Sequence, residues 1–166
     1  MASDDPEAID VYEQIKKLAV DEIKNQDLFL TTVENDILVN ALQRKSDVII
    51  QKSIREGFGL TVTEALWKGT PVVASNVGGI PLQIKDSKNG FLCDPMDLKA
   101  FSDKIITILQ DSKKAKEIGR QGTETVRKKF LITRLLMDHL DLYNELINQS
   151  DIIEMLQMLK FDIGQK

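Results

Sequence analysis

Apolar positions between residues 7 and 24 fall at Ile9, Tyr12, Ile15, Leu18, Ala19 and Ile23, the spacing of one helix face. Pro6, preceded by Asp4 and Asp5, suits a helix entry. Leu28–Thr31 is a short apolar run that reads as a strand. Asp36–Arg44 reads as a helix with Ile37, Leu38, Ala41 and Leu42 inward. Val48–Gln51 is a β-branched strand, and Thr63–Lys68 a short helix stopped by Gly69 and Pro71. Pro71–Ser75 and Gly90–Cys93 are two further strands. Beyond Pro95 the pattern is wholly helical. Leu98, Phe101, Ile105 and Leu109 share one face; Ala115, Ile118 and Val126 line a second helix, which Gly119 and Gly122 weaken or let pack closely. Leu135, Leu136, Leu140, Tyr143 and Ile147 line a third, and residues 150–161 carry a last apolar stripe at Ile152, Ile153, Leu156 and Leu159.

Strands this short and this continuously apolar, separated by helices, predict a parallel sheet buried on both faces. The fold class is α/β, an open sheet of Rossmann type. Such sheets bind ligands at the carboxyl ends of their strands. The loops after Gln51, Ser75 and Cys93 are therefore where chemistry is expected.

Composition narrows the function classes. Of 166 residues, 42% are apolar and 29% charged, and the formal charge is −4. That balance disfavours binding through phosphate neutralisation along nucleic acid, and 5% aromatics make a base-stacking platform unexpected. One cysteine, Cys93, rules out an internal disulfide, and with the single His139 it makes no zinc site of the usual kind, so no metal is expected. No apolar run approaches the roughly 20 residues of a membrane helix. The N-terminus lacks the apolar core of a secretory signal, so the expected location is cytoplasmic. His139 reads as a surface or packing residue, Trp67 as core, the runs Lys113–Lys114 and Arg127–Lys129 as solvated, and Cys93 as a buried thiol.

The loop after the second strand, Lys52 to Ala65, carries the strongest signal. Gly57 and Gly59 flank Phe58 and lead into a helix N-terminus, whose free N–H groups and dipole favour an anion. Alone, a strand, a G-x-G and a helix indicate no more than a phosphate-binding α/β domain. Glu64 has a local reading too, because Thr61-x-x-Glu64 is a capping box. Glu56 beside Arg55 reads locally as a solvated pair of little worth.

Glu56 and Glu64 stand eight apart. The stretch from Glu56 to Gly79, followed by Asn89-Gly-Phe-Leu and Asp94-Pro, resembles the signature of retaining, nucleotide-sugar-dependent glycosyltransferases of the GT-B fold. The run Ser53–Ala65 is most similar to the archaeal and bacterial trehalose synthases of that family, which join a nucleotide-activated glucose to free glucose. The resemblance covers roughly residues 1–147.

It implies that Glu64 holds the donor ribose hydroxyls, and that Glu56, the catalytic candidate, contacts hydroxyls of the donor sugar. A carboxylate suits both tasks, since it accepts two hydrogen bonds from a vicinal diol. Gly59, Leu60 and Thr61 match positions whose backbone amides meet the diphosphate, with Gly57 and Phe58 completing the cofactor-binding loop. The donor implied is UDP-, ADP- or GDP-glucose, with no separate cofactor. The reaction implied is a front-side displacement in which the leaving diphosphate helps deprotonate the incoming hydroxyl, so that the protein positions and stabilises charge.

Two departures from the pattern matter. Many relatives carry Gly-Gly-x-x-Glu after the third strand, whereas here Gly78-Gly-Ile-Pro-Leu82 lacks the Glu, as the trehalose-synthase branch does. The acceptor-side domain and the opening of the nucleotide domain, with the Arg and Lys that neutralise the leaving group, have no counterpart in these residues. The expected organisation is an incomplete nucleotide-sugar-binding domain over residues 1–149 and a helical tail over 150–166. With a sheet order of 3-2-1-4-5-6, Leu28–Thr31 would have no neighbour and Val48–Gln51 an open edge; each buried, unpaired backbone group costs about 1–3 kcal/mol. Three readings follow: a fragment inactive alone, one subunit of a split glycosyltransferase whose partner chain supplies the acceptor domain, and a non-catalytic nucleotide-binding or interaction module using the terminal helices.

Overall fold

A computed structural model of the chain describes residues 6–148 and residue 157. It divides into two compact units, one ending at Ala41 and one starting at Leu42.

The first unit holds helices α1 (Pro6–Leu18) and α2 (Val20–Lys24) and the start of α3 (Asp36–Lys45). The single helix expected over 7–24 is thus broken at Ala19, although Ala19 N still donates to Ile15 O at 2.9 Å. The strand expected at Leu28–Thr31 is absent. Those residues are irregular: the Leu28 amide turns back to the Glu22 carbonyl at 3.1 Å, and Phe29 is 79% exposed. A strand needs a partner for its ladder, and no strand pairs with this segment among the described residues. Nor do Ile37, Leu38 and Leu42 of α3 turn inward; they are exposed, and the buried residue of that helix is Gln43.

The second unit is built on a three-stranded parallel sheet of order β1-β2-β3, with β1 Ile49–Gln51, β2 Val72–Ser75 and β3 Phe91–Cys93. Ile49 pairs with Val72, and Val73 with Phe91. Helices α4 (Leu60–Trp67), α5 (Ile80–Gln83), α6 (Leu98–Gln110), α7 (Ser112–Lys129) and α8 (Ile132–Asn148) complete it. The sheet is the expected open parallel one, covered on both faces. On one face Val72 and Ala74 meet Val62, Ala65 and Leu66 of α4 and Val126 of α7. On the other, Val73, Phe91 and Cys93 meet Phe101 and Ile108 of α6 and Ile118 of α7. Alternation along β2 produces this division, since successive side chains leave opposite faces.

Helix α7 approaches α4 through its glycines. A Cβ on Gly119 would stand 1.9 Å from the Gly69 carbonyl oxygen, and one on Gly122 2.9 Å from the Leu66 side chain. Thr123 Oγ1 adds a bond to the Leu66 carbonyl at 3.2 Å. Of the two roles open to those glycines, close packing is the one the fold uses. Helix α8 contains no buried residue, so the apolar stripe expected to face a core is exposed. β1 pairs with β2 alone, its other edge has no strand among the described residues, and Ile50 is 49% exposed. Ile152, Ile153, Leu156 and Leu159 of the expected stripe lie outside the described residues, as does the proposed tail apart from Gln157.

Candidate functional site

The segment Lys52–Gly59 leaves the carboxyl end of β1 and enters α4. The helix begins at Leu60, earlier than the pattern suggests, because Gly59 is its N-cap in the left-handed conformation, φ +83°. A side chain there would be strained, and its Cβ would lie 3.2 Å from Ile80 Cγ1. Thr61 is therefore the second residue of the helix and not its cap, so it makes no capping box with Glu64; no side chain caps α4. The Gly59 carbonyl takes the Val62 amide at 2.9 Å and, more loosely, the Thr63 amide at 3.4 Å. The amides of Leu60 and Thr61 have no acceptor among the described residues. They leave two donors at the positive end of a helix dipole, directly after the glycine at 59.

The loop is held from several sides. Gly78 and Gly79, at the carboxyl end of β2, fit directly against it: a Cβ on Gly78 would fall 1.7 Å from the Glu56 carbonyl oxygen. The Gly79 amide donates to the Gly57 carbonyl at 2.8 Å. Gln83, buried at the end of α5, donates through Nε2 to the Phe58 carbonyl and accepts from Thr63 Oγ1 at 2.6 Å. Asn89 in turn donates to the Gln83 carbonyl at 2.9 Å and accepts the Lys85 amide at 2.7 Å. The Phe58 ring meets Phe130 edge-on, centroids 5.7 Å apart. Asn89 and the Gly-Gly pair, which lie well beyond the loop in sequence, thus act on it in space.

Glu56 is half-buried, and its Oε2 accepts from Gln51 Nε2 at 3.3 Å. Glu64 is exposed on α4 and its Oε2 accepts from Gln43 Nε2 at 3.0 Å. Gly57, Phe58, Leu60 and Thr61 are exposed as well. The site is an open face, whereas a cavity of about 460 Å³ lies elsewhere, between α5 and α7. Lys52 and Arg55 are exposed and make no ion pair among the described residues. Trp67, expected in the core, is 44% exposed. His139 is exposed with Nδ1 2.8 Å from the Leu135 carbonyl, and Cys93 is buried as expected. Among the described residues, no cluster of His, Cys, Asp or Glu has the grouping of a metal site, and no helix is long and apolar enough to cross a membrane.

Sequence reasoning missed Gln43, Gln83 and α5. Gln83 stands next to the Gly-Gly-Ile-Pro-Leu82 stretch, so the motif pointed near it without naming it.

Residues 10–125 match the family described as glycosyl transferases group 1, and the chain belongs to that family. It is 47% identical over 150 residues to the trehalose synthase of Rubrobacter xylanophilus, covering 89% of this chain and 35% of that protein. The trehalose synthase of Pyrococcus horikoshii is 44% identical over 148 residues, 88% of this chain and 35% of the relative. The chain thus spans about a third of the length of these relatives. Among solved structures, a complex of S. aureus TarM with UDP superposes with a TM-score of 0.69 at 26% identity, over 81% of this chain and 27% of that one. The fold is that of the C-terminal domain of GT-B glycosyltransferases.

Proposed function

We propose that this chain carries the donor site of a retaining glucosyltransferase of trehalose-synthase type. The donor is UDP-, ADP- or GDP-glucose. The observation that carries this reading is the pair of amides, Leu60 and Thr61, without an acceptor among the described residues, at the end of a loop that Gly78, Gly79 and Gln83 hold in place. They meet the diphosphate; Glu64 holds the ribose and Glu56 the sugar. The UDP bound to TarM and the identity with trehalose synthases support the ligand class. The chain's part in the reaction is to position the donor and stabilise charge on the leaving diphosphate.

Thermal unfolding of the purified chain by circular dichroism, with and without millimolar UDP, ADP and GDP, tests it. One nucleotide should raise the transition, since a ligand that binds only the native state stabilises it. Glu64→Ala should abolish the rise, weakening binding by about 10–100-fold, as expected for charge-assisted bonds of about 1.5–3 kcal/mol. A transition indifferent to all three nucleotides would sink the proposal.

A second reading, that a separate chain supplies the acceptor domain, is favoured by the edge of β1, unpaired among the described residues, and by the apolar face of α8, which has no buried residue. It expects no trehalose from nucleotide-glucose and glucose with this chain alone; turnover by the isolated chain would remove the need for a partner.

A further inference from the structure

Gln43 is a single buried amide between two opposite charges. Its side chain is 4% exposed, the buried exception on a helix whose apolar residues face solvent. Nε2 donates to Glu64 Oε2 at 3.0 Å, and Oε1 accepts from the ammonium of Lys68, one turn further along α4. Its backbone carbonyl accepts from the hydroxyl of Thr70, itself 4% exposed, in the turn that leads into β2. The chemistry fixes which way the amide points. A lysine has only donors and an ionised carboxylate only acceptors, so the oxygen must face Lys68 and the nitrogen Glu64. Glutamate or lysine at this position would leave one neighbour unmatched, and an apolar residue would leave both.

Resting on the assignment of Glu64 to the donor ribose, we propose that Gln43 is a positioning residue for that carboxylate. It occupies one lone-pair direction of Oε2 and, anchored by Lys68 and Thr70, fixes the rotamer in which Glu64 meets both hydroxyls of a vicinal diol. The ammonium of Lys68 acts through this amide, polarising its N–H toward the carboxylate. Specificity for ribose over deoxyribose is thereby set partly from behind α4, by residues that touch no ligand.

The test compares UDP, ADP and GDP, each against its 2′,3′-dideoxy form, by titration calorimetry on the full chain. The wild type is expected to prefer the hydroxylated nucleotide by on the order of tenfold or more, and Glu64→Ala to bind both forms alike. Gln43→Leu should reduce the preference at least about threefold while leaving the dideoxy form's affinity unchanged, a split that general loosening of the fold would not produce. If Glu64→Ala erases the preference and Gln43→Leu keeps it in full, the role of Gln43 is overturned while the ribose reading stands. If the wild type shows no preference, the assignment of Glu64 falls and takes this role with it. Should Gln43→Leu fail to fold, Lys68→Met releases the same amide from its other end. It should shift the preference in the same direction, and an unchanged preference there overturns the proposal.

Discussion

At the residue scale, the glycines of the site differ sharply in what they tolerate. Gly78 has φ +54°, and its missing Cβ would sit 1.7 Å from a backbone oxygen that cannot move without moving the loop. Gly78→Ala should cost about 3 kcal/mol or more, measured by urea unfolding. Gly57 has nothing within 4 Å of the same construction, and Gly57→Ala should stay within about 0.5 kcal/mol. Equal effects would mean that the Gly78 contact is not what fixes the loop. Burial pushes the Cys93 thiol above its ordinary pKa, so a disulfide reagent should react slowly with the native chain and rapidly in denaturant. The loop glycines and both glutamates were legible in sequence because a spaced motif is local. Gln43 and Gln83 were not. A glutamine within a polar-looking helix turn carries no mark of burial, and its partners stand 21 and 25 residues away.

At the element scale, α7 is laced by ion pairs along its exposed side. Arg120 forks onto Glu117 at 2.7 and 3.0 Å, and Arg127 onto Glu124 at 2.8 and 2.9 Å with Lys128 adding a third contact at 3.0 Å. Hydrogen bonds from Arg120 and Gln121 hold Glu117 down to about 2, and those from Arg127 and Lys128 hold Glu124 likewise. A carboxylate pKa lowered by folding stabilises the folded state above the unfolded value of 4.5 and ceases to do so as pH falls toward about 2. Thermal midpoints should therefore decline across that window, and less so in Glu117→Gln/Glu124→Gln or in high salt, because these pairs are exposed. An identical decline in the double variant would place the acid sensitivity elsewhere. The pattern announced α6, α7 and all three strands of the sheet, whose apolar runs are short and continuous, with Pro71 opening β2 and Gly90 opening β3. It misread Leu28–Thr31, where an apolar run was taken for a strand although a strand exists only with a neighbour. It passed over α5, whose four residues are too few to show a period.

At the scale of the whole molecule, the apolar burial among the described residues centres on the sheet and the helices that cover it. α8 has an apolar side with no buried residue, Leu136, Leu140 and Tyr143 being 58, 51 and 56% exposed. Replacing these three by Ser should leave the thermal midpoint of the isolated chain within a few degrees of wild type. Leu66→Ala, in contrast, removes a side chain with no exposed surface and should cost about 2–5 kcal/mol. A large loss from the triple variant would show that this side of α8 is covered in solution.

The seam where Gly119 lies on the Gly69 carbonyl also bears on how the chain opens. Backbone against backbone admits no intermediate spacing: either α7 is seated on the α4–β2 turn or that turn is open to water. Amide protons of α4 and β2 should therefore exchange with deuterated solvent together, at the slow rate of global opening, while those of α8 exchange early. If α4 lost its protons well before β2, the helix would be detaching by itself and the seam would not hold the two as one cooperative unit.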